Sequence, residues 1–150
     1  MEALRREPFK WVALWGDAVI VLAYALATAA TYRGGGTTTA LPHLFYVPVA
    51  LAAFRYGIPG GVMGGVVAGV LCGPWMPHDV DLGVAQTVQN WTIRMVFFVA
   101  AGTVMGALYR SLRLRIEALR ELNEQTMRAF VQAIDAKDHY TAAHSTRVAE

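Results

Sequence analysis

The sequence predicts an all-α fold, a membrane bundle of four transmembrane helices followed by a cytoplasmic juxtamembrane helix. Three observations carry this. Of the 150 residues, 55% are hydrophobic and only 16% charged, where an ordinary soluble domain carries about 25% charged residues. The charges crowd into residues 1–10 and 110–150 and leave the middle nearly bare. The middle itself divides into stretches close to the roughly 20 apolar residues that cross ~30 Å of hydrocarbon.

The first span is read at about 11–31, with Asp17 as its one charge. Arg33 and Arg55 bracket the second, about 40–55, and the third follows at about 58–76 after a tight turn through Arg55-Tyr56-Gly57-Ile58-Pro59-Gly60. The fourth, about 91–109, carries only Arg94. A secretory signal is the alternative for the first segment, because Arg5, Arg6 and Lys10 precede it and Ala27-Thr28-Ala29 resembles a cleavage site, but its apolar part is too long for a signal core. Orientation follows the basic residues. Arg5, Arg6, Lys10, Arg55, Arg110, Arg113 and Arg115 fall on one side; the other has Arg33, Arg94 near the interface, and the acidic loop His78-Asp79-Val80-Asp81. Both termini are therefore expected to be cytoplasmic, and the chain to lie in a bacterial inner membrane. Trp11, Trp15, Trp75 and Trp91 stand near span ends, as interfacial aromatics do. The net charge of +2 is too small to suggest a nucleic-acid partner. The single cysteine, Cys72, has no partner for an internal disulfide and reads as a small packing residue.

Small residues predict how the spans pack. Gly61, Gly65, Gly69 and Gly73 recur every four positions and line one helix face; Gly102 and Gly106 repeat the spacing on the fourth span, as Ala25 and Ala29 do on the first. Such faces let backbones approach closely where dispersion replaces the hydrophobic effect.

Polar residues inside the spans are the candidate functional positions. A buried carboxylate costs several kcal/mol or loses its charge, so Asp17 is expected to line a polar cavity or to bond a hydroxyl such as that of Tyr109. Arg94, at the opposite depth, is expected to snorkel outward as an anchor. His43 and Tyr46 on the second span are candidate ligand contacts, with structural burial as the plainer reading. The run from Leu41-Pro42-His43 to Arg55-Tyr56-Gly57, followed by a Gly-rich helix, resembles the four-helix membrane sensor domains at the N-terminus of bacterial sensor kinases and cyclic-dinucleotide enzymes. The resemblance implies an input domain for an unspecified signal.

Residues 110–134 lack Gly and Pro. Leu112, Ile116, Leu119, Asn123, Thr126, Phe130 and Ala133 alternate in steps of four and three, the seam of a coiled coil, so a homodimer through this helix is expected. Arg113–Glu117 and Arg120–Glu124 are expected i,i+4 pairs on its exposed face.

From residue 133 the chain reads AIDAKDHYTAAHSTRVAE. Physically, a helix is expected to end near Asp138, with Thr141 capping the next and His144 in its first turn, one helical step from Arg147. The string resembles the opening of HD-GYP phosphohydrolase domains, through its KD-x-YT and HS-x-RV elements. Ala143 stands where the family usually has Gly, and Tyr140 where some members place a third-metal carboxylate. The resemblance implies that His144 is a ligand of a two-metal site holding iron or manganese, which activates water against the phosphodiester of cyclic di-GMP. It implies a structural or phosphate-contacting role for Arg147. The remaining ligands are missing from this sequence, so residues 135–150 are read as a truncated helical HD-type domain, and no metal or hydrolysis is expected of this chain alone. The alternatives are the membrane portion of a sensor histidine kinase, which lacks here a Glu after His144 and a Thr-Pro pair, or a small non-enzymatic membrane protein.

Overall fold

The computed structural model describes residues 7–148, with side chains for residues 15–134. Helix is the only regular structure in this range apart from one isolated antiparallel bridge, Asp79 to Val84. Three helices are long: α1 (Glu7–Arg33), α2 (Tyr46–Leu71) and α3 (Val88–Val148). The stretches Trp15–Arg33, Leu41–Leu71 and Val88–Ile134 are each long and apolar enough to cross a membrane. The chain falls into two compact units, Met1–Arg110 and Ser111–Glu150.

The first unit owes its form to prolines and glycines. Two short 3-10 helices, Gly36–Thr38 and Leu41–Phe45, link α1 to α2. Pro48 supplies no N–H for the Leu44 carbonyl, and its ring would crowd that group in a continuous α-helix. The segment before it is a 3-10 turn, and α2 starts at Tyr46 with Pro48 in its first turn. The span expected at 40–55 is therefore α-helical only from Tyr46.

Gly57 breaks α2, with φ 70° and ψ −147°, a conformation open to glycine alone. Pro59 then falls in the first turn of the second half, where a missing N–H is harmless. The chain reverses at this break. On a straight helix Ala52 and Gly64 would stand about 18 Å apart at about 1.5 Å per residue. Here a Cβ built on Gly64 would lie 3.1 Å from the Ala52 Cβ and 3.5 Å from the Val49 Cα. The second half ends at Leu71, short of the expected residue 76, and a turn-rich segment leads to α3.

The glycines of the second half of α2 lie against α3. A Cβ on Gly61 would stand 2.0 Å from the Gly102 carbonyl oxygen, one on Gly65 2.6 Å from the Val99 nitrogen, and one on Gly69 2.2 Å from the Met95 side chain. A Cβ on Gly73 would meet Trp91 at 3.3 Å, and one on Gly106 would meet Ile58 at 2.7 Å. Each step of four along one helix is matched by a step of three or four back along the other, so the pair is antiparallel and in register for the whole glycine run.

Phe45, Val49, Ala68, Cys72, Phe98, Tyr24 and Ala27 form the core of this unit. Phe45 lies between Tyr24 and Phe98, with ring centroids 6.5 and 6.0 Å away, and Tyr46 meets Phe98 edge-on at 4.9 Å. The Tyr24 hydroxyl donates to the Gly64 carbonyl at 2.7 Å, and this fastens α1 to α2. Thr28 and Thr31 turn their hydroxyls back onto the carbonyls of Tyr24 and Ala27, so neither needs an external partner. Trp15 and Trp75 are among the most exposed large side chains, at 70% and 75%, while Trp91 packs on Gly73.

In the second unit α3 continues through Asp138 and Thr141 to Val148 without interruption. This corrects the expected helix end and the Thr141 cap. No Gly or Pro occurs after Gly106, so local sequence offers no stop signal, and a threonine within a helix can satisfy its hydroxyl on its own preceding turn. The heptad seam is exposed, with Leu112, Ile116, Leu119 and Phe130 between 41% and 64% accessible. Glu124 pairs with Arg128 at 3.7 Å rather than with Arg120, which orders acid before base along the helix, the better arrangement for its dipole.

Candidate functional site

Two clusters of polar side chains lie at opposite ends of the first unit. The first is centred on Asp17. Its carboxylate accepts the Arg55 Nε–H at 2.6 Å and also a hydrogen bond from the Tyr56 hydroxyl. Arg55 reaches it across Gly16, where a Cβ would stand 2.6 Å from a guanidinium nitrogen. A glycine at 16 is therefore part of the pair's construction. Arg55 and Tyr56 are placed by the Gly57 reversal, which ends the first half of α2 beside the start of α1. Tyr109, the expected partner of Asp17, instead stacks edge-on against Phe54 at 5.0 Å. Hydropathy gives a residue's depth but not the direction in which it faces, and two residues of the same depth competed for one carboxylate.

The second cluster surrounds the end of α2. Side chains here gather the carbonyls of the C-cap residue Cys72 and of the turn that follows it, which no helical N–H can reach. The Gln86 amide donates to the carbonyls of Met76 at 2.7 Å, Cys72 at 3.0 Å and Gly73 at 3.3 Å. Arg94 Nη1 donates to the Gln86 Oε1 at 3.1 Å and to the Cys72 carbonyl at 3.3 Å, with the Cys72 sulfur at 3.6 Å. Arg94 is thus tied inward to a helix terminus, a correction to the outward-reaching anchor expected from sequence. Gln86 was not anticipated at all. The signal in the sequence was one long amide in a polar stretch just ahead of a helix, and nothing local says that it would reach back to α2.

His43, Tyr46, Asn90, Ile93, Arg94 and Phe97 line an open groove of ≈ 450 Å³ at this same end. His43 and Tyr46 are thereby brought together with Arg94, while Asp17 belongs to the other cluster. The His43 Nδ1 lies 2.8 Å from the Ala40 carbonyl, so that nitrogen carries the proton and Nε2 is left for another partner. Its ring lies 6.2 Å from that of Tyr46.

A loop cap completes this end. The Thr37 N–H donates to the His78 carbonyl at 3.0 Å, the Thr37 hydroxyl bonds His78 Nδ1 at 3.2 Å, and the Val80 N–H donates to the Gly35 carbonyl at 3.3 Å. Asp79 accepts from the backbone N–H groups of Asp81 and Leu82 at 2.9 and 3.0 Å, so the acidic loop holds its own turn.

His144 and Arg147 lie on α3 where side chains are outside the described residues. Among the described residues no three His, Cys, Asp or Glu side chains come together as a metal site would require. No family model matches the chain, and it is significantly similar to no curated protein and to no solved structure.

Proposed function

We propose that this chain is the sensor and anchor portion of a membrane-bound, metal-dependent cyclic di-GMP phosphodiesterase of HD-GYP type. The observation that carries the reading is the string AIDAKDHYTAAHSTRVAE, reached along the same helix, α3, that packs the glycine seam. On this reading residues 1–109 form a four-helix bundle in a bacterial inner membrane. The reversal at Gly57 divides α2 into two crossings, and the Arg55 end faces the cytoplasm together with both termini. The exposed seam from Leu112 to Ala133 pairs with the same seam of a second copy. His144 is the first ligand of the parent enzyme's iron or manganese site, and Arg147 supports phosphate binding or structure.

Two arrangements support it. An Asp17–Arg55 pair brings opposite charges together at one end, so neither stands alone in an apolar setting. The glycine seam gives helices the close approach that holds bundles together in lipid. The test is a protein extended through the rest of an HD-GYP domain. It should hydrolyse cyclic di-GMP in the presence of manganese and incorporate no phosphate from ATP. Autophosphorylation without hydrolysis would assign the chain to the sensor kinases, and neither activity would leave a membrane protein without enzymatic output.

A further inference from the structure

The Arg94 guanidinium is only half used. Its Nη1 carries every hydrogen bond it makes to protein, and all three acceptors are neutral: the Gln86 amide oxygen, the Cys72 carbonyl and the Cys72 sulfur. Nε and Nη2 have no protein partner among the described residues, and no carboxylate neutralises the group. Among those residues no fully buried side-chain nitrogen lacks a partner, so these N–H groups are accessible. Arg94 lines the groove of ≈ 450 Å³ with His43, Tyr46 and Asn90, and Ile93 and Phe97 supply an apolar wall. That volume falls in the range of about 300–1,000 Å³ usual for small-molecule sites.

We infer that this groove binds an oxyanion, a carboxylate or a phosphate, on the Nε/Nη2 edge of Arg94. The guanidinium is planar, so tying Nη1 to the end of α2 fixes the plane and pre-organises the opposite edge for two parallel N–H···O bonds. The Tyr46 hydroxyl and the Asn90 amide offer further hydrogen-bond donors around the same opening, and the apolar part of the ligand lies on Ile93 and Phe97. No acidic side chain lines the groove to repel an anion. Because Arg94 also holds the Cys72 carbonyl, occupancy is coupled to the end of α2 and to the start of α3. The site belongs to the first unit alone and stands whether or not the C-terminal string opens a phosphohydrolase domain; the assay below reads binding and no enzymatic activity.

The test uses the 150-residue chain, delipidated in dodecyl maltoside, titrated with sodium benzoate or sodium phosphate against sodium chloride of equal ionic strength. One of the two oxyanions should raise the thermal midpoint by about 2–4 °C at ten times its half-saturating concentration. Arg94→Lys keeps a donor for the Cys72 carbonyl but loses the planar edge, and should abolish the response. Asn90→Leu leaves the helix cap untouched, folds as the parent does, and should raise the half-saturating concentration at least tenfold. In parallel, the protein is taken from nanodiscs containing phosphatidylglycerol and weighed by native mass spectrometry. One retained lipid, lost in Arg94→Lys, would identify a headgroup as the source of the oxyanion, and a response to benzoate or phosphate without lipid retention would identify a soluble ligand. The proposal is overturned if neither oxyanion nor lipid binds, or if binding is unchanged in both variants.

Discussion

Gly61→Leu should be among the most destabilising single substitutions in the membrane unit. A Cβ at that position would stand 2.0 Å from the Gly102 carbonyl oxygen and 2.5 Å from its carbon, and both are backbone atoms. A flexible side chain could swing aside; a helix carbonyl cannot move without its helix. Overpacking typically costs ~1–3 kcal/mol, and backbone against backbone belongs at or above the top of that range. Gly61→Ala should already lower the thermal midpoint in detergent measurably, because the first added atom is the one that clashes. Gly65→Leu should behave alike, since its Cβ would meet the Val99 backbone at 2.6 Å. Val66→Leu is the control: Val66 is 37% exposed, so the change should stay within ~0.5 kcal/mol. Equal losses at Gly61 and Val66 would mean that the seam does not hold the helices together.

If the C-terminal string opens an HD-GYP domain as proposed, then in a protein extended with such a domain His144→Ala should remove most of the phosphodiesterase activity and lower bound metal. A two-metal site stabilises the attacking and leaving oxygens through ions held ~3.5–4 Å apart, and loss of a ligand imidazole loosens one of them. Substituting residues that merely orient metal ligands costs about 10–100-fold, so loss of a ligand should cost at least about 100-fold. Arg147→Ala should reduce activity less and leave metal content close to that of the parent. Metal analysis beside the rate separates the two roles. An extended His144→Ala protein that keeps both its metal and its rate would return His144 to a structural role at this point of α3.

How much of this was legible in the sequence depends on the kind of interaction. Hydropathy reports segments: it places the apolar stretches on the three long helices, but it set the start of α2 at 40 rather than Tyr46 and its end at 76 rather than Leu71, and it could not show that the fourth stretch continues as one helix to Val148. The four-residue spacing from Gly61 to Gly73 is visible because helical periodicity turns spacing into a face, and Gly57 with Pro59 marks the reversal because both residues resist a continuous helix. The partners of polar groups were not legible. Asp17 meets Arg55 and Tyr56 rather than Tyr109 because the reversal brings the end of a helical half against Gly16, and only the azimuth of each helix decides this. Gln86 and Arg94 cap α2 from a segment separated from it by a loop, so neither neighbour in sequence hints at the role. The 3-10 turn over Leu41–Phe45 follows from Pro48, a local cause that the span-level reading passed over. At the other extreme, Thr141 has a good capping side chain, yet α3 runs through it, because a cap acts only where the chain has another reason to leave the helix.

The proposed bundle needs four crossings of the membrane, with α2 divided at Gly57. Topology reporters fused after Gly35, Pro59, Asp81 and Glu121 test it directly. The expected readings are outside, cytoplasm, outside and cytoplasm in that order, since Arg5, Arg6 and Lys10 before the first span and Arg110, Arg113 and Arg115 after the fourth outweigh the single Arg33 beside the first outer loop. If α2 instead crosses once from Leu41 to Leu71, Asp81 would report the cytoplasm and Glu121 the outside. That result would contradict the four-crossing bundle and the placement of residues 110–148 as a cytoplasmic signalling helix.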